Sequence, residues 1–501
     1  MSLRERITKE FTLYSASFIF TQVINVALAL FIRNVLGPEQ MGAWIALQVI
    51  LTYTKYSNMG LAEAAGREIP FERGRGHSER INDIRNASYT FTLLVAVVLS
   101  VGMAIAAFFV YRSFGMLYGV SLLTLAFLSF FQRVSTFCIV MVRAERRFDF
   151  INRFNVYTSA ANAVLVVLLV HFFQLYGYYA AMVLSFVFNY FYLIGFSGVP
   201  FRLRWNWLLL TSLFKMGIVL VFVSLSHTFF TSVDKLSITA TLGVKALGIY
   251  SITMLVSNLI LIFPNNLSVI IFPYLNEAYG ESREPEKLRK FVLLPNEFIA
   301  CYLPILIGLL SIGSPYLIRI FLPKYVEGLS ALKIGLWTSV FLILASNMGN
   351  SLITLKKYAW MIPLQLVLGF ATWGINWLLI RQKFGLPAIA ATDLVAHILL
   401  WASYLAVFFR TLPSPALLRS HVSRLLMTIG YASIMSVLLD FCVPQKTFTM
   451  LIVKLVLWTV ISVPVLLFGE RMFETYRLFK GLVSKIKKLP EIPPVTNPAS
   501  L

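Results

Sequence analysis

Residues 33–44 read RNVLGPEQMGAW, a charged and turn-rich stretch between two long apolar runs. Gly37 followed by Pro38 predicts a break in the helix, because proline interrupts helical hydrogen bonding and glycine tolerates turn geometry. Part of the stretch returns near the middle of the chain, where LG at 36–37 and GAW at 42–44 are echoed by LG at 242–243 and GIY at 248–250. We interpret both copies as structural turns between membrane-spanning helices rather than as active-site loops.

The composition of the chain predicts a helical membrane protein. Of its 501 residues, 58% are hydrophobic and 13% are charged, whereas soluble proteins have roughly 45–50% and 25%. The mean hydropathy is +0.78, and many apolar runs approach the roughly 20 residues that span a hydrocarbon core. The formal net charge of +21 lies in loops that flank these runs, which favours membrane topology over nucleic-acid binding.

Apolar runs between charged or Gly/Pro breaks predict an all-α polytopic protein with about fourteen transmembrane helices. The predicted spans are residues 11–32, 41–63, 87–111, 115–141, 154–173, 176–198, 207–233, 245–272, 292–318, 327–353, 359–380, 386–409, 422–441 and 448–468. Most Lys and Arg residues fall in alternate loops between these spans. By the positive-inside rule, those basic loops and both termini are cytoplasmic.

The echo of the opening stretch predicts an internal duplication. A second pair of similar segments, LYGYYAA at 175–181 and KFGLPAIAA at 383–391, is separated along the chain by nearly the same number of residues as the first pair. We therefore predict two parallel six-helix lobes, because an even number of spans per repeat keeps the two copies in one orientation. The predicted parts are an N-terminal lobe 1–205, a C-terminal lobe 206–412, two additional transmembrane helices in 413–468, and a basic amphipathic cytoplasmic tail 469–501.

Three segments in this order carry a family resemblance: RNVLGPEQMGAW at 33–44, RAERRFDFINRFN at 143–155 and DKLSITATLGVKALGIYSITM at 234–254. Together they resemble the polysaccharide-biosynthesis and O-antigen flippases of the multidrug/oligosaccharidyl-lipid/polysaccharide (MOP) exporter superfamily, over nearly the whole chain. The resemblance implies two lobes in a V around a central cavity, with alternating access.

The family's activity is implied in the same way. It is the translocation of an undecaprenyl-diphosphate-linked oligosaccharide, such as an O-antigen, capsular or exopolysaccharide repeat unit. Movement is from the inner to the outer leaflet of the bacterial cytoplasmic membrane. The expected partners are this polyprenyl-diphosphate-linked oligosaccharide, the lipid bilayer, a polysaccharide polymerase and glycosyltransferases.

Polar side chains within the spans are hypotheses of function, because they are unfavourable in lipid. The predicted substrate cavity is lined by Gln22, Asn25, Gln48, Thr52, Lys55, Arg133, His227, Thr228 and Thr231. Gln48, Thr52 and Lys55 share one helical face. Lys55 and Arg133 are the leading candidates for holding a diphosphate headgroup in a hydrated cavity. The alternative for His227 is a hydrogen-bonded residue without a role in transport.

Asp234, Asn376 and Asp393 are the predicted coupling-ion residues. Oxygen ligands from three helices suit Na⁺ or proton exchange, and the resemblance to lipid II flippases implies a cation site on equivalent helices. Coupling to Na⁺ or H⁺ stays open, and no cofactor or resident metal is predicted. In the alternative interpretation, Asp234 pairs with Lys235 and Asp393 lies near the outer interface.

Three other functions are compared with flippase activity. A multidrug exporter of the same superfamily binds organic cations, yet spans one and two contain Lys55 and no acid before Glu63. A lipid II flippase stays open, because it also recognises a diphosphate. A membrane-embedded polymerase or ligase is less favoured, because the outer loops are short and lack a phosphate loop, a metal cluster or a nucleophile triad.

Overall fold

The computed structural model describes residues 3–75, 77–145, 147–261, 285–443 and 447–473. Helices and short turns make up these ranges, and no strand occurs within them. The predicted tail 469–501 lies outside the described residues from position 474 onward. The helices are α1 Leu3–Thr54, α2 Leu61–Gly74, α3 Ser78–Phe114, α4 Met116–Ala144, α5 Phe148–Phe196, α6 Trp207–Phe230, α7 Val233–Thr241, α8 Gly243–Leu261, α9 Pro285–Phe321, α10 Leu329–Thr354, α11 Tyr358–Arg381, α12 Gly385–Thr411, α13 Pro415–Cys442 and α14 Phe448–Phe473.

Twelve helices in the described ranges are long and apolar enough to cross a membrane. Two of them contain 38 and 47 residues, about twice the roughly 20 residues that one crossing needs. Gly37 (φ 68°, ψ 177°) breaks α1 and Gln174 (φ 50°, ψ −124°) breaks α5. Each of these helices therefore supplies two spans, and the predicted all-α polytopic fold with about fourteen spans is confirmed.

The helices pack into two compact units. The first unit comprises residues 1–255, 317–335 and 358–400, and the second comprises residues 256–316, 336–357 and 401–501. The two lobes and two added helices expected from the sequence repeat remain a prediction.

The two echoed turns pack directly against each other within the first unit. A Cβ atom at Gly42 would overlap the Val244 carbonyl oxygen, and one at Gly248 would overlap the Pro38 carbonyl oxygen. Gly243 opens α8 with a φ of 82°, in the left-handed region that favours glycine. The repeated glycines thus permit a backbone contact between α1 and α8, which we call the glycine-turn contact.

Arg33 reinforces the glycine-turn contact. Its buried guanidinium donates from Nε to Ser251 Oγ at 3.2 Å and from Nη2 to the Ser251 carbonyl at 3.3 Å. The Tyr325 hydroxyl donates to the Arg33 carbonyl at 3.1 Å. These charge-assisted and buried hydrogen bonds tie α1 to α8 and to the short helical turn Pro323–Gly328.

The second span ends earlier than position 63, the boundary predicted from the sequence. A 3₁₀ turn at Lys55–Asn58 follows α1. Met59 (φ 52°) and Gly60 (φ 74°) then interrupt the helical backbone before α2. A Cβ atom at Gly60 would lie 2.6 Å from the Gly217 carbonyl oxygen of α6. Hydropathy could not predict this end, because the break depends on close backbone packing against another helix.

The basic loops of the first unit are held by buried or half-buried acids. Arg85 Nη1 lies 2.9 Å from Glu145 Oε1, and Arg73 Nη2 lies 3.5 Å from Glu145 Oε2. Glu72, whose side chain is only 2% exposed, lies 2.7 Å from His77 Nδ1 and 3.4 Å from Arg80 Nε. The hydrogen bond with His77 and the charges of Arg80 and Arg75 lower the pKa of Glu72 below its ordinary value.

Ionic contacts join helices in the described part of the second unit. Glu297 Oε1 of α9 lies 2.9 Å from His421 Nδ1 and 3.1 Å from Arg424 Nη2, both on α13. Lys454 of α14 is buried and donates to Asp440 Oδ1 of α13 at 2.6 Å. Removing one partner of a buried ion pair leaves the other charge uncompensated in a medium of low dielectric constant, which destabilises the fold. These pairs therefore favour the observed arrangement of α9, α13 and α14.

Gly42→Ala tests the glycine-turn contact. The added methyl group must separate the two turns, so we expect the free energy of unfolding to fall by about 1–3 kcal/mol. Thermal unfolding of the purified protein measures the change. The matched control is Gly102→Ala in α3, where a Cβ atom meets nothing within 4 Å and alanine favours the helix by up to about 1 kcal/mol. Equal thermal-unfolding midpoints for Gly42→Ala and Gly102→Ala would contradict the glycine-turn contact.

Glu72→Gln tests the pairing of the basic loop. Because the folded-state pKa of Glu72 is lowered, its carboxylate stabilises the fold above the unfolded-state pKa and loses this contribution as pH falls through the folded-state pKa. We therefore expect Glu72→Gln to unfold at a lower temperature than the wild type at neutral pH. The difference should shrink as pH falls below about 4. Exposed Glu79→Gln is the control, and a difference independent of pH would argue against the assignment.

Candidate substrate and coupling site

Two helix breaks in the first unit position its polar side chains. The first is the 3₁₀ turn Lys55–Asn58, and the second is the pair Thr231 and Ser232 between α6 and α7. Thr231 favours the second break, because its hydroxyl donates to the His227 carbonyl at 3.0 Å and so competes with helix continuation. Both breaks leave backbone groups that can bind polar partners.

Tyr56 joins the two breaks. Its hydroxyl lies 2.5 Å from Thr228 Oγ1, and it donates to the Ser224 carbonyl at 3.1 Å. This contact brings the end of the second span against the polar face of α6. Thr228 is therefore buried against Tyr56, while Thr231 remains half-buried.

Lys55 lies beside this junction with an exposed side chain. Its Nζ is 4.8 Å from the centroid of the Tyr56 ring, within the range of a cation–π contact. Lys55 is also close enough to His227 to act on that ring electrostatically. The structure thus brings together Lys55, His227, Thr228 and Thr231 from two different predicted spans.

The other predicted cavity residues on α1 differ in exposure. Asn25 and Gln48 are exposed, and Gln22 and Thr52 are half-buried. The Thr52 hydroxyl donates to the Gln48 carbonyl at 2.8 Å. The side chains of Gln48 and Asn25 are therefore not covered by other described residues, and their place in a substrate cavity stays a prediction.

Arg133 is buried rather than exposed beside Lys55. Its Nη2 donates to the Thr54 carbonyl at 2.6 Å, and its Nη1 donates to the Ser57 hydroxyl. Arg133 of α4 thus supports the 3₁₀ turn on which Lys55 lies. Its terminal nitrogens bind the protein, so this arrangement favours a positioning role over direct contact with substrate.

A second polar group begins at the N-terminus of α7. Lys235 Nζ donates to Asp234 Oδ1 at 3.0 Å and to the Thr231 carbonyl at 2.7 Å. The Asp234 side chain is 7% exposed and that of Lys235 is 19% exposed. The pairing considered as the alternative for Asp234 is therefore present.

Asp393 and His397 of α12 complete this group. Their side chains approach to 3.3 Å, and His397 Nδ1 lies 2.8 Å from the Asp393 carbonyl oxygen. The Phe230 ring covers His397, with centroids 4.9 Å apart. Asp393 and Tyr250 are both close enough to Asp234 to interact with its charge.

Asn376 joins the same group from α11. Its Nδ2 donates to Ser237 Oγ of α7 at 3.4 Å, and its Oδ1 is buried without a hydrogen-bond partner among the described residues. A hydrogen bond joins Asn376 of α11 to α7, the helix of Asp234, and the charge of Asp393 on α12 acts on Asp234. We call these residues the coupling cluster, after the role predicted from the sequence. It consists of Asp234, Lys235, Tyr250, Asn376, Asp393 and His397.

The sequence-based prediction missed Tyr250 and His397 as members of this cluster, and it included Lys235 only in the alternative interpretation of Asp234. Asp393 and His397 are four residues apart on α12, a spacing that places two side chains on one helical face. That spacing was the available signal. Within the described ranges, no group of three or more His, Cys, Asp or Glu residues forms a metal site.

A family model described as "Polysaccharide biosynthesis protein" matches residues 35–327, which is more than half of the chain. The match includes the first glycine turn, the loop after α4 and the segment 234–254. No curated protein sequence matches the chain.

Solved structures with a similar fold include transporters and a flippase. A structure titled "Lipid II flippase MurJ, inward closed conformation" is similar over 94% of this chain and 100% of its own, with a TM-score of 0.66 and 13% identity. An inward-facing multidrug resistance MATE family transporter of the MOP superfamily gives 0.64 at 16% identity, over 79% of this chain and 96% of its own. An outward-facing MATE transporter gives 0.61 at 15% identity, over 80% and 96%. The predicted MOP resemblance is confirmed.

Arg133→Met tests whether Arg133 supports the turn of Lys55. Removing its hydrogen bonds to the Thr54 carbonyl and the Ser57 hydroxyl should lower the free energy of unfolding by about 1.5–3 kcal/mol. Thermal unfolding of the purified protein gives the measurement. Exposed Arg112→Met loses only a contact with the Phe108 ring, worth about 0.5–1 kcal/mol. An Arg133→Met protein with normal stability but no transport would indicate direct substrate contact instead.

Proposed function

This chain belongs to the polysaccharide biosynthesis protein family, and we propose that it is a flippase for an undecaprenyl-diphosphate-linked oligosaccharide. The substrate is an O-antigen, capsular or exopolysaccharide repeat unit. The family match and the fold shared with a lipid II flippase and with MATE transporters support a membrane transporter or flippase. Such a protein moves its substrate without covalent chemistry.

The observation that carries the substrate assignment is the exposed Lys55 beside hydroxyl groups in the first unit. A diphosphate must keep its charge out of the lipid tails, which requires a cation in a polar environment. Lys55 provides the ammonium, and Tyr56, Thr228 and Thr231 provide hydroxyl groups nearby. Exposed Asn25 and Gln48, on the two segments of α1 that Gly37 separates, offer hydrogen bonds to sugar hydroxyls.

The orientation follows from charge. In our proposal, the basic loops that contain Arg73, Arg80 and Arg85 face the cytoplasm together with both termini, in accordance with the positive-inside rule. The glycine-turn contact then lies on the outer side of the bacterial cytoplasmic membrane. Translocation from the inner to the outer leaflet requires this contact to open, because it joins α1 and α8 at that end.

Coupling to an ion is assigned to Asp234, Asn376 and Asp393. These residues lie on α7, α11 and α12, and α7 follows directly from the helix that carries His227 and Thr228. The ammonium of Lys235 donates hydrogen bonds to both the Thr231 carbonyl and Asp234. It therefore links Thr231, one of the proposed substrate residues, to the coupling cluster. A change of charge in the coupling cluster therefore acts on the break between α6 and α7, beside Thr228 and Thr231.

A lipid II flippase is the second candidate, favoured by the similarity to the structure of that name. Both substrates present a diphosphate to Lys55, and they differ in the attached sugars. A multidrug exporter is less favoured, because the exposed polar face carries a cation and the two acids of the coupling cluster adjoin Lys235 and His397.

Lys55→Ala tests the proposed function in cells whose surface glycan depends on this protein. Loss of a charge-assisted contact of about 1.5–3 kcal/mol should reduce glycan export about 10- to 100-fold. Immunoblots of surface glycan and of membrane-inserted protein give the measurement. Lys55→Arg keeps the charge and should retain part of the export.

Lys245→Ala is the matched control, because Lys245 is also an exposed lysine of the first unit and lies in the first turn of α8. It should export at the wild-type level. Undiminished export by Lys55→Ala, at equal protein abundance, would reject the proposed site. Restored peptidoglycan synthesis in a strain lacking its lipid II flippase would favour the second candidate.

A further inference from the structure

A cavity of about 880 Å³ lies between the N-terminal turns of α3 and α6, away from the candidate substrate and coupling residues. Pockets that bind small molecules have volumes of roughly 300–1,000 Å³. Both helices are candidate membrane spans, and the 37 residues of α3 exceed the roughly 20 that one crossing needs. Because the predicted apolar span of α3 begins at residue 87, the cavity lies at the level of the lipid headgroups. Its walls include Glu79, Arg80, Asp83, Asn206, Leu208 and Ser212.

The cavity is preformed, because the segment before α6 is tied to α3. This segment, residues 198–206, is not helical, and we call it the α5–α6 strap. The Arg202 backbone N–H donates to Asn86 Oδ1 at 3.0 Å, and the Arg204 backbone N–H donates to Thr90 Oγ1 at 2.8 Å. The strap leads directly into α6, so these hydrogen bonds hold the start of α6 beside α3.

The rim of the cavity is apolar and exposed. Leu208 is 84% exposed, and its neighbour Trp207 is 57% exposed. The rings of Trp205 and Trp207 stack with an interplanar angle of 12° and with their centroids 6.1 Å apart. Exposed tryptophans are typical of the boundary between lipid tails and headgroups. A polar cavity with an apolar rim at this level fits an amphiphilic ligand.

The charges at the cavity have both signs. Asp83 pairs with Arg204, and Arg80 Nε lies 3.4 Å from Glu72 Oε1. A guanidinium has five N–H donors, and each of these two contacts uses one, so both arginines have further donors for an anion. Glu79 lines the same cavity and forms no ion pair with a lysine or arginine in the described ranges. The cavity thus offers donors to a phosphate and a carboxylate to a cation.

We propose that this cavity binds an aminophospholipid of the surrounding bilayer, whose headgroup joins a phosphate diester to a primary ammonium. The ammonium binds Glu79, the phosphate binds Arg80 and Arg204, and the acyl chains lie along Leu208 and Trp207. The lipid thereby joins the first turns of two spans at one membrane surface. This site requires no glycan substrate, so it is independent of the proposed flippase function.

The lipid selectivity of purified, delipidated full-length protein tests the proposal. The probes are dioleoyl phosphatidylethanolamine, phosphatidylglycerol and phosphatidylcholine, which share their acyl chains. Phosphatidylglycerol lacks the ammonium, and the quaternary ammonium of phosphatidylcholine has no N–H donor. Titrations followed by native mass spectrometry measure the lipid bound per protein. We expect phosphatidylethanolamine to bind about 5-fold more tightly than either of the other two lipids. Equal affinities for the three lipids would overturn the proposal.

Glu79→Gln tests the assignment of the ammonium. Because Glu79 is exposed, the variant should fold, and its affinity for phosphatidylethanolamine should fall about 5-fold while the other two affinities stay unchanged. Glu39→Gln is the matched control, since Glu39 is also an exposed glutamate of the first unit and lies outside the cavity. A Glu79→Gln protein that keeps the wild-type preference for phosphatidylethanolamine would overturn the proposal.

Leu208→Ser tests the contact with the acyl chains. Loss of apolar contact at the rim should weaken the binding of all three lipids about 5- to 10-fold, whatever their headgroup. Leu168→Ser is the matched control, because Leu168 of α5 is 53% exposed and lies outside the cavity. Unchanged affinities of Leu208→Ser for all three lipids would show that the rim holds no acyl chain, and the proposal would fail.

Discussion

The backbone contact between two glycine-bearing turns constrains the rest of the first unit. Gly42 lies against the Val244 carbonyl, and Gly248 lies against the Pro38 carbonyl. Side chains at these positions would hold the helices apart, because protein interiors tolerate little overlap. The contact holds α1 beside α8, and the short helix α7, which carries Asp234, directly precedes α8. The position of Asp234 therefore depends on a contact that two glycines make possible.

The polar residues are assembled at breaks in helices rather than along unbroken spans. In a membrane, backbone groups released by a break need internal partners, and here side chains supply them. Arg133 binds the Thr54 carbonyl, and Lys235 binds the Thr231 carbonyl. Two basic residues thus stabilise two breaks, while Lys55 on the first break keeps an exposed ammonium. Arg133 and Lys235 therefore share one role at the helix breaks, whereas Lys55 keeps its ammonium exposed.

The sequence predicted the all-helical fold with about fourteen spans, but it did not predict the partners of the candidate residues. Helical periodicity placed Gln48, Thr52 and Lys55 on one side of span two, and it placed His227, Thr228 and Thr231 on span seven. Arg133 looked equivalent to Lys55, because both are single basic residues in apolar runs. The structure distinguishes them, because a helical face is a property of one helix, whereas the partners of Arg133 lie at the end of α1 and in the 3₁₀ turn that follows it.

The sequence by itself determined the all-helical membrane fold and the two glycine turns. Hydropathy and local backbone preference are encoded within about twenty consecutive residues, which is why these features can be read from the chain. Only the tertiary structure decided that the turns touch, that Arg133 is engaged and that Lys235 neutralises Asp234. These outcomes depend on distances between helices, and such distances are set by close packing of residues far apart in sequence.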